Sequence, residues 1–437
     1  MQLAQALRLN PAACLALVGS GGKTTALFQL AGELPGPVIL TATAHLALEQ
    51  AARADRHLIA ASPADLTPLD RGLPAGITLV TGPVEAGRTQ SISPQVQVWL
   101  RDLCREHRIP LLIEADGSRQ RPLKAPAAHE PPIPEFVETV VVVAGLSALG
   151  HPLTEAWVHR PELFAELGGL SADAALTPEA LARVLVHPHG GLKNVPPGAH
   201  KLALLNQADT PELQSAGRRL AERLLPAYAA VVIASLGSGT IAASLEPAAG
   251  IVLAAGQARR FGSPKQLLDY HGEAFVHAVA RSALEAGLSP VVVVTGAQAE
   301  AVAAALAGLP VVVAHNPDWQ SGQASSIRAG LAALPAAAGS ATFLLADQPQ
   351  VGPEVLRALV ERHAADLPPI LAPLVADRRA NPVLFDRQTF AALGALQGDV
   401  GGRAIFSQFP VRYLPWLDES LLIDVDTPDD LAKLKRS

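Results

Sequence analysis

Residues 252–268 read VLAAGQARRFGSPKQLL: an apolar run, then a glycine, two arginines, a second glycine and a lysine. A short run of this kind, closed by glycine, reads as a buried strand of a parallel sheet. In open parallel sheets ligands meet the carboxyl ends of the strands, so Gly256 marks a place where backbone comes close to a ligand. Arg259, Arg260 and Lys265 add fixed forks and a mobile point charge, a combination suited to a polyphosphate. Leu253, Ala254, Ala255, Gly256, Arg259 and Gly262 are the expected nucleotide contacts. A solvated basic turn after a strand is the alternative.

Outward from this stretch the pattern repeats. Short β-branched runs (CLALV, PVIL, PLLIEA, TVVVVAG, HKLALLN and AAVVIASL, then GIVLAAG, PVVVVTG, PVVVAHN, ATFLLAD and PPILAPL) alternate with Ala/Leu-rich segments of helical period. That alternation predicts α/β architecture with mainly parallel sheets. A chain of 437 residues is long for a single core, and the series runs twice. ASLEPAAG at 243–250 reads as a linker, which predicts one domain over 1–245 and another over 246–437. Hydrophobic residues make up 49% and charged residues 17%, as in a well-buried globular protein. The net charge of −6 gives no electrostatic case for nucleic acid or an anionic membrane. Cys14 and Cys104, without a paired framework or signal peptide, are expected as reduced thiols in the cytoplasm.

In the second half, LLADQP places Asp347 at a strand end, followed by Pro349, which cannot donate to a ladder. A carboxylate there could hold Mg²⁺ against nucleotide phosphates or simply cap a helix. DVDTPDDL offers Asp424 and Asp426, metal ligands or ordinary helix-start acids. NPDWQSGQASSIRAGL presents Gly322, Ser325, Ser326 and Arg328 at a helix start, suited to an anionic group or to capping. GDVGGRAIF carries Asp399 and Arg403 on a glycine-rich loop that either closes on a substrate or is pinned by an ion pair.

These segments, in this order with NPVLF, resemble the MobA-like nucleotidyltransferases, and most of all the molybdenum cofactor cytidylyltransferases; Ala258 stands where that family often has Ser. The resemblance implies a Rossmann-like fold and transfer of CMP from CTP to the terminal phosphate of molybdopterin, with release of pyrophosphate. It implies Arg260, Lys265 and Asp347 as catalytic residues, Asp347 and Asp426 on Mg²⁺, and Ser325, Ser326, Arg328, Asp399 and Arg403 at the second substrate. Guanylyl transfer, nucleotidyl transfer to a sugar phosphate, and a non-catalytic cofactor chaperone remain alternatives.

The first half opens with CLALVGSGGKTTALFQLAGEL: strand, glycine loop, helix. Gly19, Gly21, Gly22, Lys23, Thr24 and Thr25 resemble a P-loop, with Leu17 where the full motif has Gly, and most resemble the shorter loop of the Mur ligases, in which loop amides and Lys23 would meet phosphates and Thr24 a Mg²⁺; a plain glycine turn before a helix is the alternative. LLIEADGS ends a strand with Glu114 and Asp116, as a Walker B carboxylate would or as a solvated strand end. ALLNQAD is only a weak match to a base-reading motif, and a turn holding Asn206 and Asp209 is the alternative. In SRQRPLKAPAAHEP, residues Arg119, Arg121, Lys124, His129 and Glu130 read either as a second anionic pocket or as a proline-stiffened surface loop. The recurring segments VGSGGKTT, TATAHL, IEADGSRQRPLKAPAAHEPPIPE, VVVAGLSALG, VHRPEL, HPHGGLKNVPPGA and LLNQAD resemble the YqeC family. That resemblance implies an ATP- or GTP-binding accessory domain, and the fusion implies an apo-molybdenum hydroxylase of the xanthine dehydrogenase type as partner.

Overall fold

The computed structural model describes residues 1–70, 72–85, 87–117, 119–172, 174–257, 264–423, 425 and 430. The chain divides into two compact units, Met1–Leu245 and Glu246–Ser437.

The first unit is built on a nine-stranded sheet. Across it run Thr240–Leu245, Ala230–Ser235, His200–Asn206, Thr139–Gly145, Cys14–Gly19, Leu111–Glu114, Val38–Ala42, Ile77–Thr81 and Arg56–Ile59. All neighbours pair in parallel except Thr240–Leu245, which runs antiparallel at one edge. Cys14–Gly19 lies in the middle, and its burial on both faces explains why it is a near-continuous apolar run. Alternate residues Leu15 and Leu17 join Leu40, Leu112, Val141 and Val143 in a core covered by Leu27, Leu30 and Ala31 of the Lys23–Glu33 helix. Each buried Leu or Val there contributes roughly 1.5–3 kcal/mol of transfer free energy, so the sheet's centre is anchored where the glycine loop leaves it.

In the second unit the order is Val312–His315, Val291–Thr295, Ala248–Ala254, Ser340–Leu345, Val383–Asp386, Ile370–Val375 and Arg378–Arg379, with Val411–Pro415 also pairing Ile370–Val375. Ala248–Ala254 pairs in parallel on both sides. Its odd and even residues face two different cores: Val252 and Ala254 pack with Val276, Val279 and Leu356, while Ile251 packs with Val292, Val294 and Ile327. Helices Phe275–Glu285 and Pro353–Asp366 cover the first face and Gln323–Ala332 the second.

One sequence expectation changes. The ASLEPAAG segment is mostly strand, the end of Thr240–Leu245 and the start of Ala248–Ala254, so only Glu246 and Pro247 separate them. The two strands belong to different sheets: Thr240–Leu245 closes one edge of the first, where Ser244 donates to the Ala6 carbonyl, and Ala248–Ala254 opens the second. The NPVLF strand, Val383–Asp386, is antiparallel to both of its neighbours. Among the described residues no helix is long and apolar enough to cross a membrane.

Candidate functional site

The second unit's cleft opens at the carboxyl end of Ala248–Ala254, which Val291–Thr295 flanks on one side and Ser340–Leu345, reached only after Val312–His315, on the other. This is the switch point at which open α/β sheets leave room for a ligand. The cleft measures about 630 Å³. Leu253, Ala254, Ala255, Gly256 and Lys265 line it together with Asp347, Gly322, Ser326 and Asp399, so nine of the expected residues share one cavity. Lys265 Nζ lies 3.9 Å from Asp347 Oδ2, with the lysine mostly buried and the acid 40% exposed. That spacing is long for a hydrogen bond, and a phosphate oxygen or cation could bridge it. Beside them Gln266, 5% exposed, donates from Nε2 to the Gly256 carbonyl at 3.2 Å and ties the returning segment to the strand end.

Other expected residues are placed elsewhere. Ser325 lies outside the cleft lining; its hydroxyl is bound to the Asp318 and Gly322 carbonyls and receives Asn316 Nδ2 at 2.8 Å. Arg328 donates to the Leu396 carbonyl and so braces the helix rather than lining the cleft. Arg403 is exposed on the short Gly402–Ile405 turn, also away from the lining. Asp399 accepts from the Gln323 amide at 3.2 Å, so its loop is held by a backbone contact, not by a pair with Arg403. Arg259, Arg260, Gly262, Asp424 and Asp426 lie outside the described residues. Trp319, Gln320, Ser321 and Gln323 also line the cleft. Sequence reasoning passed over them because uncharged side chains in a helix-start motif look like packing and capping.

In the first unit, Gly19 through Gly22 turn between strand and helix. Gly21 has φ +80°, and a Cβ on it would lie 2.3 Å from the Gly145 amide nitrogen, so no other residue fits. Three of the loop's amides are already committed. Gly19 donates to Asp116 Oδ2, Ser20 to the Val143 carbonyl and Gly21 to the Arg121 carbonyl. The donors left for an anion are therefore those of Gly22 and the helix's first turn, not the whole loop. Lys23 curls back, Nζ to the Gly19 carbonyl at 2.7 Å and 3.1 Å from Asp116 Oδ1, which it meets out of line for a hydrogen bond.

Around Lys23 is a buried charge network. Lys124, whose side chain is 2% exposed, bridges Asp116 Oδ2 at 2.8 Å and Glu130 Oε2 at 3.0 Å, and Arg160 clasps both oxygens of Glu130. Burial works to raise Glu130, yet the Arg160 and Lys124 contacts hold its carboxyl down at about 2. Glu114 accepts from the Thr24 hydroxyl at 2.8 Å, and burial pushes its pKa up. The segment after Asp116 is thus neither anionic pocket nor plain surface loop: Arg119, Arg121 and His129 are exposed, whereas Lys124 and Glu130 are internal braces. Asn206 is not a turn residue. It ends its strand, donates from Nδ2 to the Gly21 carbonyl at 2.6 Å and accepts from the Leu236 amide at 2.9 Å, stitching the glycine loop to the next strand end. Among the described residues no group of three or more His, Cys, Asp or Glu converges as a metal cluster. Cys14 and Cys104 are buried free thiols whose pKa values burial raises, Cys14 to about 12.

Comparison with known proteins assigns both units. The YqeC protein family matches residues 15–162, and the MobA-like NTP transferase domain matches residues 250–413. An uncharacterized protein YqeC of Escherichia coli is 34% identical over 199 residues, covering 44% of this chain and 75% of that protein. The nicotine blue oxidoreductase of Paenarthrobacter nicotinovorans is 34% identical over 195 residues, 42% of this chain and 95% of that protein. A crystal structure of Rv0371c from Mycobacterium tuberculosis, described as a complex with manganese, is 34% identical and covers 44% of this chain and 99% of its own, with a TM-score of 0.37.

Proposed function

The chain belongs in its first unit to the YqeC family and in its second to the MobA-like NTP transferases, and on that footing we propose that it transfers CMP from CTP to the molybdopterin form of the molybdenum cofactor. The observation that supports this reading is the approach of Lys265 to Asp347 in an open cleft at the sheet's switch point. A terminal phosphate oxygen of the pterin forms a bond to the α-phosphorus of CTP while the bond to the β-phosphate bridging oxygen breaks, and pyrophosphate leaves. The attacking monoester is already largely ionised, its second pKa lying near about 6, so no general base is needed. The barrier is mainly one of bringing anions together and stabilising charge as it moves toward pyrophosphate.

Lys265 meets the α- or β-phosphate from the floor of the cleft, and Ala254 to Gly256 bring backbone against the nucleotide. Asp347 offers one partly exposed carboxylate, which fits a hard cation that prefers one or two carboxylates plus phosphates and water. Mg²⁺ held there would offset phosphate charge. Arg260 and Asp426 complete the proposed set from outside the described residues. In the first unit Lys23, Thr24 and Glu114 are proposed to hold ATP or GTP with Mg²⁺, Lys23 leaving Asp116 to do so. The product's consumer is proposed to be an apo-molybdenum hydroxylase of the xanthine dehydrogenase type, in the cytoplasm.

A relative named as an oxidoreductase makes the competing reading concrete. The test supplies the purified chain with Mg²⁺, molybdopterin-form cofactor and CTP, GTP or ATP in turn, following pyrophosphate and the mass of the pterin product. The expected result is a cytosine dinucleotide from CTP, lost in Asp347→Asn. Pyrophosphate release only with a sugar phosphate, or nicotinamide nucleotide oxidation without pyrophosphate release, would overturn it.

A further inference from the structure

The cleft has two chemically different walls. One carries Lys265 and Asp347 and is suited to phosphates and a cation. The other is formed by Trp319, Gln320, Ser321, Gln323 and Asp399, with no lysine or arginine in its lining among the described residues. Trp319 is set firmly. Gly296 ends the neighbouring strand region so close that a Cβ on it would lie 2.7 Å from Trp319 Cβ and 2.8 Å from the Ala255 carbonyl oxygen. Any side chain at 296 would push the indole away from the strand end that opens the cleft. The following turn is sewn to the glycine-rich loop, Gln323 donating to Asp399 Oδ1 at 3.2 Å and Ala324 to the Gly398 carbonyl at 3.3 Å.

Asp399 is the acidic member of this wall. A carboxylate lining a cleft for polyanions repels them unless it is neutralised or faces something else. Among the described residues no basic side chain pairs with it, and its Oδ2 accepts no hydrogen bond. It therefore suits a ligand that presents adjacent N–H donors. A fused 2-amino-4-oxopyrimidine does so: its amino group and neighbouring ring N–H can both donate to one carboxylate, while its flat face stacks on an indole. Cytosine sets a single donor beside two acceptors, and a carboxylate would repel those acceptors.

We propose that Trp319 and Asp399 form a reading site for a planar 2-amino-4-oxopyrimidine ring, Trp319 as stacking platform and Asp399 as acceptor of its two N–H donors. The idea deepens the pterin reading above and rests on it for the ligand's place as second substrate. The same edge occurs in pterins and in guanine, so both sources enter the test.

The test measures equilibrium binding of free pterin, of lumazine (the same ring with a 2-oxo group in place of the amino group), of guanosine and of CTP to the full chain. Pterin is expected to bind at least about tenfold more tightly than lumazine, the difference that a charge-assisted hydrogen bond makes. Asp399→Asn retains an acceptor for the Gln323 amide and should abolish that preference. Trp319→Leu should weaken pterin and lumazine alike, roughly fivefold or more. CTP binding should be unchanged in both variants, which also reports that they are folded. Equal binding of pterin and lumazine by the wild type, or a preference that survives Asp399→Asn, would overturn the inference even if cytidylyl transfer is observed. Selective binding of guanosine without pterin would uphold the reading of this edge while removing CTP transfer to a pterin as the function.

Discussion

At the residue scale, charge neutralisation decides what each ionisable group can do. Lys265 faces Asp347 across 3.9 Å, within ion-pair range and close enough for the two to share a ligand. Removing the ammonium in Lys265→Ala should lower kcat for pyrophosphate release by roughly 10²–10³, the usual loss for one charge-stabilising donor, with a smaller change in KM for the second substrate. Glu130 illustrates the opposite use of charge. Its carboxyl is held at about 2 by Arg160 and Lys124 against the effect of burial. A carboxyl whose pKa is depressed by folding stabilises the protein at pH values above the ordinary carboxylate range, and that stabilisation is lost as pH falls from there through about 2. Glu130→Gln should therefore unfold at lower urea than wild type at pH 7, and the gap should narrow between pH 5 and pH 2.

Elements fix which groups can meet. The glycine loop between Cys14–Gly19 and Lys23–Glu33 is held on three sides, by Asp116, by the Val143 and Arg121 carbonyls, and by Asn206 from the end of His200–Asn206. Gly21→Ala would combine a positive φ with a backbone clash, a cost of about 2 kcal/mol or more. Scanning calorimetry should show the first unit melting roughly 5 °C or more lower, with the second unit's transition unmoved. The sequence of the loop was enough to place strand, turn and helix, because glycine spacing and apolar period are local signals. Its amide usage was not legible: three loop amides are taken by residues 97 to 123 positions away in the chain, which no local pattern encodes.

At the scale of the whole molecule, the two units have separate sheets and separate cores, and only Glu246 and Pro247 lie between their adjoining strands. Residues 246–437 expressed alone should fold cooperatively and keep nucleotidyl transfer, and residues 1–245 alone should fold without it; circular dichroism melts and the pyrophosphate assay check both. The sequence by itself determined the α/β class, the two series of strands, and the strand ends where Gly256, Asp347 and the Gly19–Thr25 loop stand, since period, turn chemistry and motif order are written along the chain. Only the tertiary structure decided which of those residues share a cleft. Lys265 and Asp347 are brought together because two parallel strands lie side by side, whereas Ser325 and Arg328, from the same motif as Trp319, are turned to carbonyls by the helical twist. The fate of a polar side chain depends on the nearest unpaired donor or acceptor in space, and that neighbour is chosen by packing of distant segments.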